Sequence, residues 1–180
     1  MNSMRKLVLL AFAGALSSGF LPAHAVDAFG IQAGYGDDST GLLRVDASWK
    51  WDRKWPVGAD WLLTGYWEAS LGHWEGKGEG AKTLFETAVT PVLRLLPAGR
   101  KSGPYAEAGV GAHLLSAKRI NRDREFGSHF SFGTHVGLGV LFGDKGQYDL
   151  GYRFQHISNA GVSTPNDGIN FHQVLLRYNY

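Results

Sequence analysis

The sequence predicts an all-β chain, an eight-stranded antiparallel transmembrane β-barrel with a side-chain-filled interior. Three observations carry that prediction. Eight strand-length segments alternate apolar and polar residues with period two, separated by Gly, Asp, Asn and Pro turn signals. Several exceed ten residues, enough to cross a bilayer at a tilt. Aromatic residues gather near segment ends, as at an interfacial girdle: Trp49, Trp51, Trp61, Phe126, Tyr178 and Tyr180.

Residues 1–25 read as an export signal and stand outside the fold. Arg5 and Lys6 form a basic start, Leu7 to Leu16 an apolar core, and Ala23-His24-Ala25 a small-x-small cleavage site. That apolar run is too short for a comfortable membrane helix. Residues 26–180 then form one barrel domain.

The segments follow in order. Phe29, Ile31, Ala33 and Tyr35 alternate in the first. In the second, Leu43, Val45, Ala47, Trp49 and Trp51 oppose Arg44, Asp46, Ser48, Lys50 and Asp52. Trp61, Leu63, Trp67, Ala69 and Leu71 oppose Thr64, Glu68 and Ser70 in the third. The fourth sets Phe85, Val89, Leu93 and Leu95 against Glu86, Thr90 and Arg94. Ala106, Ala108, Val110, Ala112 and Leu114 oppose Glu107 and His113 in the fifth. In the sixth, Phe130, Phe132, Val136, Leu138, Val140 and Phe142 oppose His135 and four glycines. The seventh sets Tyr148, Leu150, Tyr152 and Phe154 against Asp149, Arg153 and Gln155. Val174, Leu176, Tyr178 and Tyr180 oppose Gln173, Arg177 and Asn179 in the eighth.

A soluble lipocalin-like barrel shares this pattern but turns the apolar face inward; a membrane barrel turns it to lipid. Segment length, the aromatics at segment ends, the mixed charges of the polar face and the aromatic last residue, Tyr180, together favour the membrane. Arg44, Asp46, Lys50, Glu68, Glu86, Arg94, Glu107, Asp149, Arg153 and Arg177 mix both signs on the polar face, so they can pair as a plug within a narrow lumen. A conducting pore is not expected, and function is assigned to the outer wall or the loops.

All 16 acidic residues lie beyond residue 25, whereas two of the 18 basic ones lie before it, so residues 26–180 are formally neutral. That balance argues against a nucleic-acid binder, which needs a basic stripe. The chain has no cysteine, so neither disulfide nor thiolate chemistry is available.

The stretch "GYRFQHISNAG" (151–161) raises the functional question. Period two puts His156 and Ser158 on the apolar face with Tyr152 and Phe154. Their Cα atoms then lie roughly 6.5–7 Å apart, close enough for an imidazole to lean onto a hydroxyl. That is the first requirement of a serine nucleophile with a histidine base. The plainer alternative is a strand that has left the hydrocarbon and resumed polar composition. Asn159, Gly161, Pro165, Asn166, Asp167 and Gly168 follow, a turn-rich set of amide donors suited to an oxyanion hole.

"HISNAG" (156–161) followed by "PNDGI" (165–169) resembles the lipid A 3-O-deacylase (PagL) family of Gram-negative outer membranes. "SWKWDRKW" (48–55), "LTGYWEASLGHWEG" (63–76) and "YAEAGVGAHLLSAKRI" (105–120) resemble its strands too. The resemblance implies an integral outer-membrane barrel whose serine esterase removes the 3-position ester-linked hydroxyacyl chain from lipid A. By position, Ser158 is the nucleophile and His156 its base, with Asn159, Asn166 and the Gly161 N–H as candidate oxyanion donors. No metal and no cofactor are implied. The implied partners are lipopolysaccharide as substrate and the surrounding outer-membrane lipids, and a homodimer is compatible with the sequence.

One position departs. The family pattern has a glutamate fourteen residues after the histidine, where this chain has Asn170. Exchanging a triad acid for its amide can lower turnover about ten-thousandfold. Either Asn170 orients the imidazole itself, or Asp167 supplies the charge, or the enzyme is weak or inactive. His172 reads as an interfacial residue. Lys118, Arg119, Arg122 and Arg124 read as a solvated basic loop, with lipid A phosphates as the functional alternative. A structural or adhesin barrel, and a phospholipid esterase, stand as competing functions.

Overall fold

Period-two alternation becomes a closed wall of strands. The computed structural model describes residues 25–180, so the export-signal expectation lies, apart from Ala25, outside the described residues. The strands are β1 (Ala28–Gly36), β2 (Gly41–Lys50), β3 (Trp55–Val57), β4 (Trp61–Glu75), β5 (Thr83–Pro97), β6 (Gly103–Leu115), β7 (Arg119–Asn121), β8 (Arg124–Glu125), β9 (Phe130–Phe142), β10 (Tyr148–Ser158) and β11 (Ile169–Asn179). Eight of them form the wall, each antiparallel to its neighbours in the order β1-β2-β4-β5-β6-β9-β10-β11. Pairing of β11 with β1 closes the ring, with Gly36 opposite Phe171 and Ala28 opposite Asn179. The short β3 lies against the start of β4, and β7 with β8 makes a hairpin in the loop between β6 and β9.

The apolar face points outward. Phe29, Ile31, Val45, Leu71, Val89, Val136, Leu138, Leu150, Val174 and Leu176 are all exposed. A belt of this kind on every strand is stable only against lipid, so the barrel is of the membrane-spanning class. At the end where β1 begins and β11 finishes, the belt is rimmed by aromatic rings. Trp51 meets Trp55 and Trp67 edge-on, Phe142 stacks on Tyr148 at 5.3 Å, and Tyr178 meets Tyr180 at 5.3 Å.

The charges fill the middle of the lumen and pair there. Arg153 bridges Glu68 and Glu107, Arg177 bridges Asp46 and Glu68, Arg94 joins Glu107 to Asp149, and Arg44 grips Glu86. Tyr66 Oη donates to Glu107 and accepts from Arg94, Arg153 and Arg177. Inward glycines on β9 make room for this layer. A Cβ on Gly133 would collide with the His113 ring, and one on Gly139 with Tyr105.

Two expectations are corrected. Lys50 is not part of the plug: it is exposed at the mouth of the barrel where β1 begins, beside a cavity of about 580 Å³ that Lys54, Arg100 and Lys101 also line. Its strand ends there, and a long stem carries the ammonium out to water. Phe126 is not at the girdle but fully buried inside. It joins a second interior layer at the opposite end, made of Leu42, Trp74, Leu84, Leu115, Ile120, Ile157, Ile169 and Phe171. This apolar layer sits beneath the longer loops, under the segment that carries the candidate site.

Candidate functional site

The site is assembled where β10 ends and β11 begins. His156 faces outward on β10 and pairs across the ladder with Asn170 on β11, while Ile157, the residue between His156 and Ser158, points into the buried apolar layer. Alternation thus anchors one side of the strand and presents the other. His156 Nδ1 lies 2.8 Å from Asn170 Oδ1. An amide oxygen only accepts, so the ring donates from Nδ1 and leaves Nε2 free as a base.

Ser158 is half-buried at the last position of β10. The left-handed turn at Gly168, with φ of +62°, folds back over it. A Cβ on Gly168 would meet His156 Cε1 at 3.0 Å and Ser158 Cβ at 3.3 Å. The imidazole and the hydroxymethyl group therefore converge on one small patch, floored by a residue whose lack of a side chain leaves the space open.

Loop 159–168 is held by Asn159. Its buried side chain donates to the carbonyls of Phe126 at 2.7 Å and Ser163 at 2.8 Å, and accepts from Gly161 N–H at 2.9 Å. The backbone N–H of Asn159 donates to Asn166 Oδ1 at 2.9 Å. The Asn159 amide and the Gly161 N–H, expected as oxyanion donors, are thus committed within the loop. Of the three expected donor residues, Asn166 alone keeps a donor, its Nδ2, without a hydrogen-bond partner among the described residues, its Oδ1 being the atom that the loop uses. Asp167, the expected substitute acid, is directed elsewhere: its carboxylate accepts from Glu125 N–H on β8 at 2.7 Å. Turn geometry aims it at the neighbouring hairpin rather than at His156.

The carboxylate that does reach the site is Asp37, in the single 3-10 turn Asp37–Ser39 between β1 and β2. Its Oδ2 accepts from Asn170 N–H at 2.9 Å and from Asn170 Nδ2 at 3.0 Å. Nothing in a "GDDST" turn marks this residue locally; only barrel closure brings it beside Asn170.

Arg124 ties the surrounding loops together. It donates to Asp38 Oδ2 at 2.7 Å and to the Gly168 carbonyl, and its Nη1 lies 3.8 Å from Asp37 Oδ2. The hydrogen bond from Arg124 holds the Asp38 carboxyl below its usual range. Arg119 pairs with Glu125 and Arg122 with Glu79, so three of the four basic loop residues are occupied by loop carboxylates. His172, on the outer wall, sits between Tyr152, whose hydroxyl is 2.5 Å from Nδ1, and Phe154. Among the described residues, no cluster of His, Asp and Glu is arranged to hold a metal ion.

Fold and site together define a small membrane-spanning barrel that carries a His-Ser-Asn cluster on its outer wall rather than in its lumen. The chain belongs to the lipid A 3-O-deacylase (PagL) family, whose sequence model matches residues 40–179. It is 35% identical over 174 residues to the lipid A deacylase PagL of Pseudomonas aeruginosa, covering 97% of this chain and 98% of that one. To the lipid A deacylase PagL of Bordetella bronchiseptica it is 31% identical over 119 residues, 66% of this chain and 60% of that one. A crystal structure of the outer membrane enzyme PagL superposes with a TM-score of 0.77 at 33% identity, covering 85% of this chain and 99% of that one.

Proposed function

We propose that this chain is an outer-membrane esterase that removes the 3-position ester-linked hydroxyacyl chain from lipid A, with Ser158 as nucleophile and His156 as general base. The observation that carries the residue assignment is the convergence of His156 and Ser158 on Gly168, with His156 Nδ1 already bonded to Asn170. The family supplies the reaction class and the substrate.

In this mechanism His156 Nε2 takes the Ser158 proton as the oxygen attacks the ester carbonyl. The tetrahedral oxyanion is met by Asn166 Nδ2; the Gly161 N–H joins it by exchanging Asn159 Oδ1 for the oxyanion. Collapse breaks the acyl–oxygen bond, and the sugar hydroxyl leaves with the proton from His156. Water, activated by the same imidazole, then releases the fatty acid from Ser158. The exposed apolar wall of β9 and β10, with Val136, Leu138 and Phe154, offers the acyl chain a surface continuous with the bilayer.

The test is mass spectrometry of lipid A from cells making the protein. Loss of one hydroxyacyl mass from the 3-position supports the reading. Unchanged lipid A beside a folded, inserted barrel overturns it, and fatty acid released from phospholipid instead would assign a different ester. A second expectation concerns Gly168→Ala. The added methyl intrudes between His156 and Ser158 and strains a left-handed turn by about 1 kcal/mol. The neighbours must give by a few tenths of an ångström, so turnover on lipid A in detergent micelles should fall roughly tenfold, less than the ~100-fold cost of a full ångström's misplacement. Full activity would show that the two side chains do not work as a pair.

A further inference from the structure

We infer that Asp37 is a positioning residue for the deacylation reaction, acting through Asn170 to hold the His156 imidazole and to return the negative charge that the amide at residue 170 lacks. The inference rests on the Ser158–His156 assignment above. It begins with acceptor arithmetic. A carboxylate only accepts hydrogen bonds, so the Asn170 group facing Asp37 Oδ2 at 3.0 Å has to be the amino group. That choice turns Asn170 Oδ1 toward His156, where it lies 2.8 Å from Nδ1. Without Asp37 the amide can rotate by half a turn and offer N–H to the ring instead. The imidazole would then accept at Nδ1 and carry its proton on Nε2, where it cannot serve as a base toward Ser158.

Asp37 also accepts from the Asn170 backbone N–H at 2.9 Å, so one oxygen fixes both the strand and the side chain. The resulting chain runs carboxylate, amide, imidazole, with every donor and acceptor matched. As His156 becomes imidazolium in the transition state, the polarised amide transmits part of the Asp37 charge. Arg124, at 3.8 Å from Asp37 Oδ2, reduces that charge without displacing either bond, since its closer partner is Asp38. Asp37 lies outside the span matched by the family model, which starts at residue 40.

The experiment is a double-mutant cycle on lipid A turnover in detergent micelles, using Asp37→Ala and Asn170→Glu singly and together, with Ser158→Ala as reference. Heat-modifiable gel mobility checks that each barrel is folded. Asp37→Ala should lower kcat roughly ten- to a hundredfold, the range of one charged hydrogen bond, with KM unchanged. In the Asn170→Glu background the acid bonds His156 directly and meets Asp37 as a like charge, so Asp37→Ala should there leave kcat equal or raise it. An equal loss in both backgrounds would reduce Asp37 to a loop-holding residue and overturn the inference, as would unchanged kcat in Asp37→Ala. Retained activity in Ser158→Ala would instead remove the assignment on which the inference rests.

Discussion

Ser158→Ala is expected to lower lipid A deacylation by a factor of about 10⁴ or more while the barrel folds and inserts unchanged. The two halves of that expectation come from different parts of the structure. Ser158 ends β10 opposite Phe132, and the ladder there uses its backbone, not its hydroxyl. Removing Oγ therefore costs the fold little. It does remove the hydroxyl of a side chain whose Cβ shares the Gly168 patch with His156. His156→Ala should be nearly as damaging, and the double variant little worse than either, because a nucleophile and its base act as one unit. Product analysis by mass spectrometry reads both. Deacylation persisting within tenfold of the parent in Ser158→Ala would sink the serine mechanism and leave His156 to activate water directly.

The barrel was legible because period two survives on every wall strand, and the polarity of the two faces follows once the charges are seen to pair. What alternation does not specify is which side an aromatic residue takes beyond the hydrocarbon. Phe126 near a segment end carries the same signature whether it belongs to a girdle or to an interior layer. It is inside because the β7–β8 hairpin folds over the lumen and packs it on Trp74 at 6.0 Å. Lys50 misleads for the complementary reason: its parity is inward, but its strand stops at the mouth. In the site, His156 and Asn170 are cross-strand partners, so a fixed sequence offset encoded their contact. Asp37 sits 133 positions from Asn170, and its approach follows from the closing register that sets Gly36 against Phe171. That register is a property of the whole ring. No local pattern contains it.

The interior carries the second large expectation. Arg153→Met should destabilise the folded barrel by about 3 kcal/mol, measured by urea unfolding from lipid vesicles. The guanidinium makes four bonds, to Glu107 Oε1 at 2.6 Å, to both Glu68 oxygens at 2.9 Å and to Tyr66 Oη at 2.9 Å. Methionine fills much of the volume and satisfies none of these acceptors. The four interior arginines, Arg44, Arg94, Arg153 and Arg177, face five carboxylates, Asp46, Glu68, Glu86, Glu107 and Asp149. His113 also faces Glu86, and the substitution withdraws positive charge from Glu68 and Glu107 in particular. Glu68 keeps Arg177 and Glu107 keeps Arg94, which places the cost at the low end of the range for a broken buried pair rather than above it. Arg119→Met removes an ion pair of similar chemistry, that with Glu125, but on the loop surface, where water screens both charges. There the loss should stay under about 1 kcal/mol. If Arg153→Met cost no more than Arg119→Met, water would have to reach the buried central layer and solvate the stranded carboxylates.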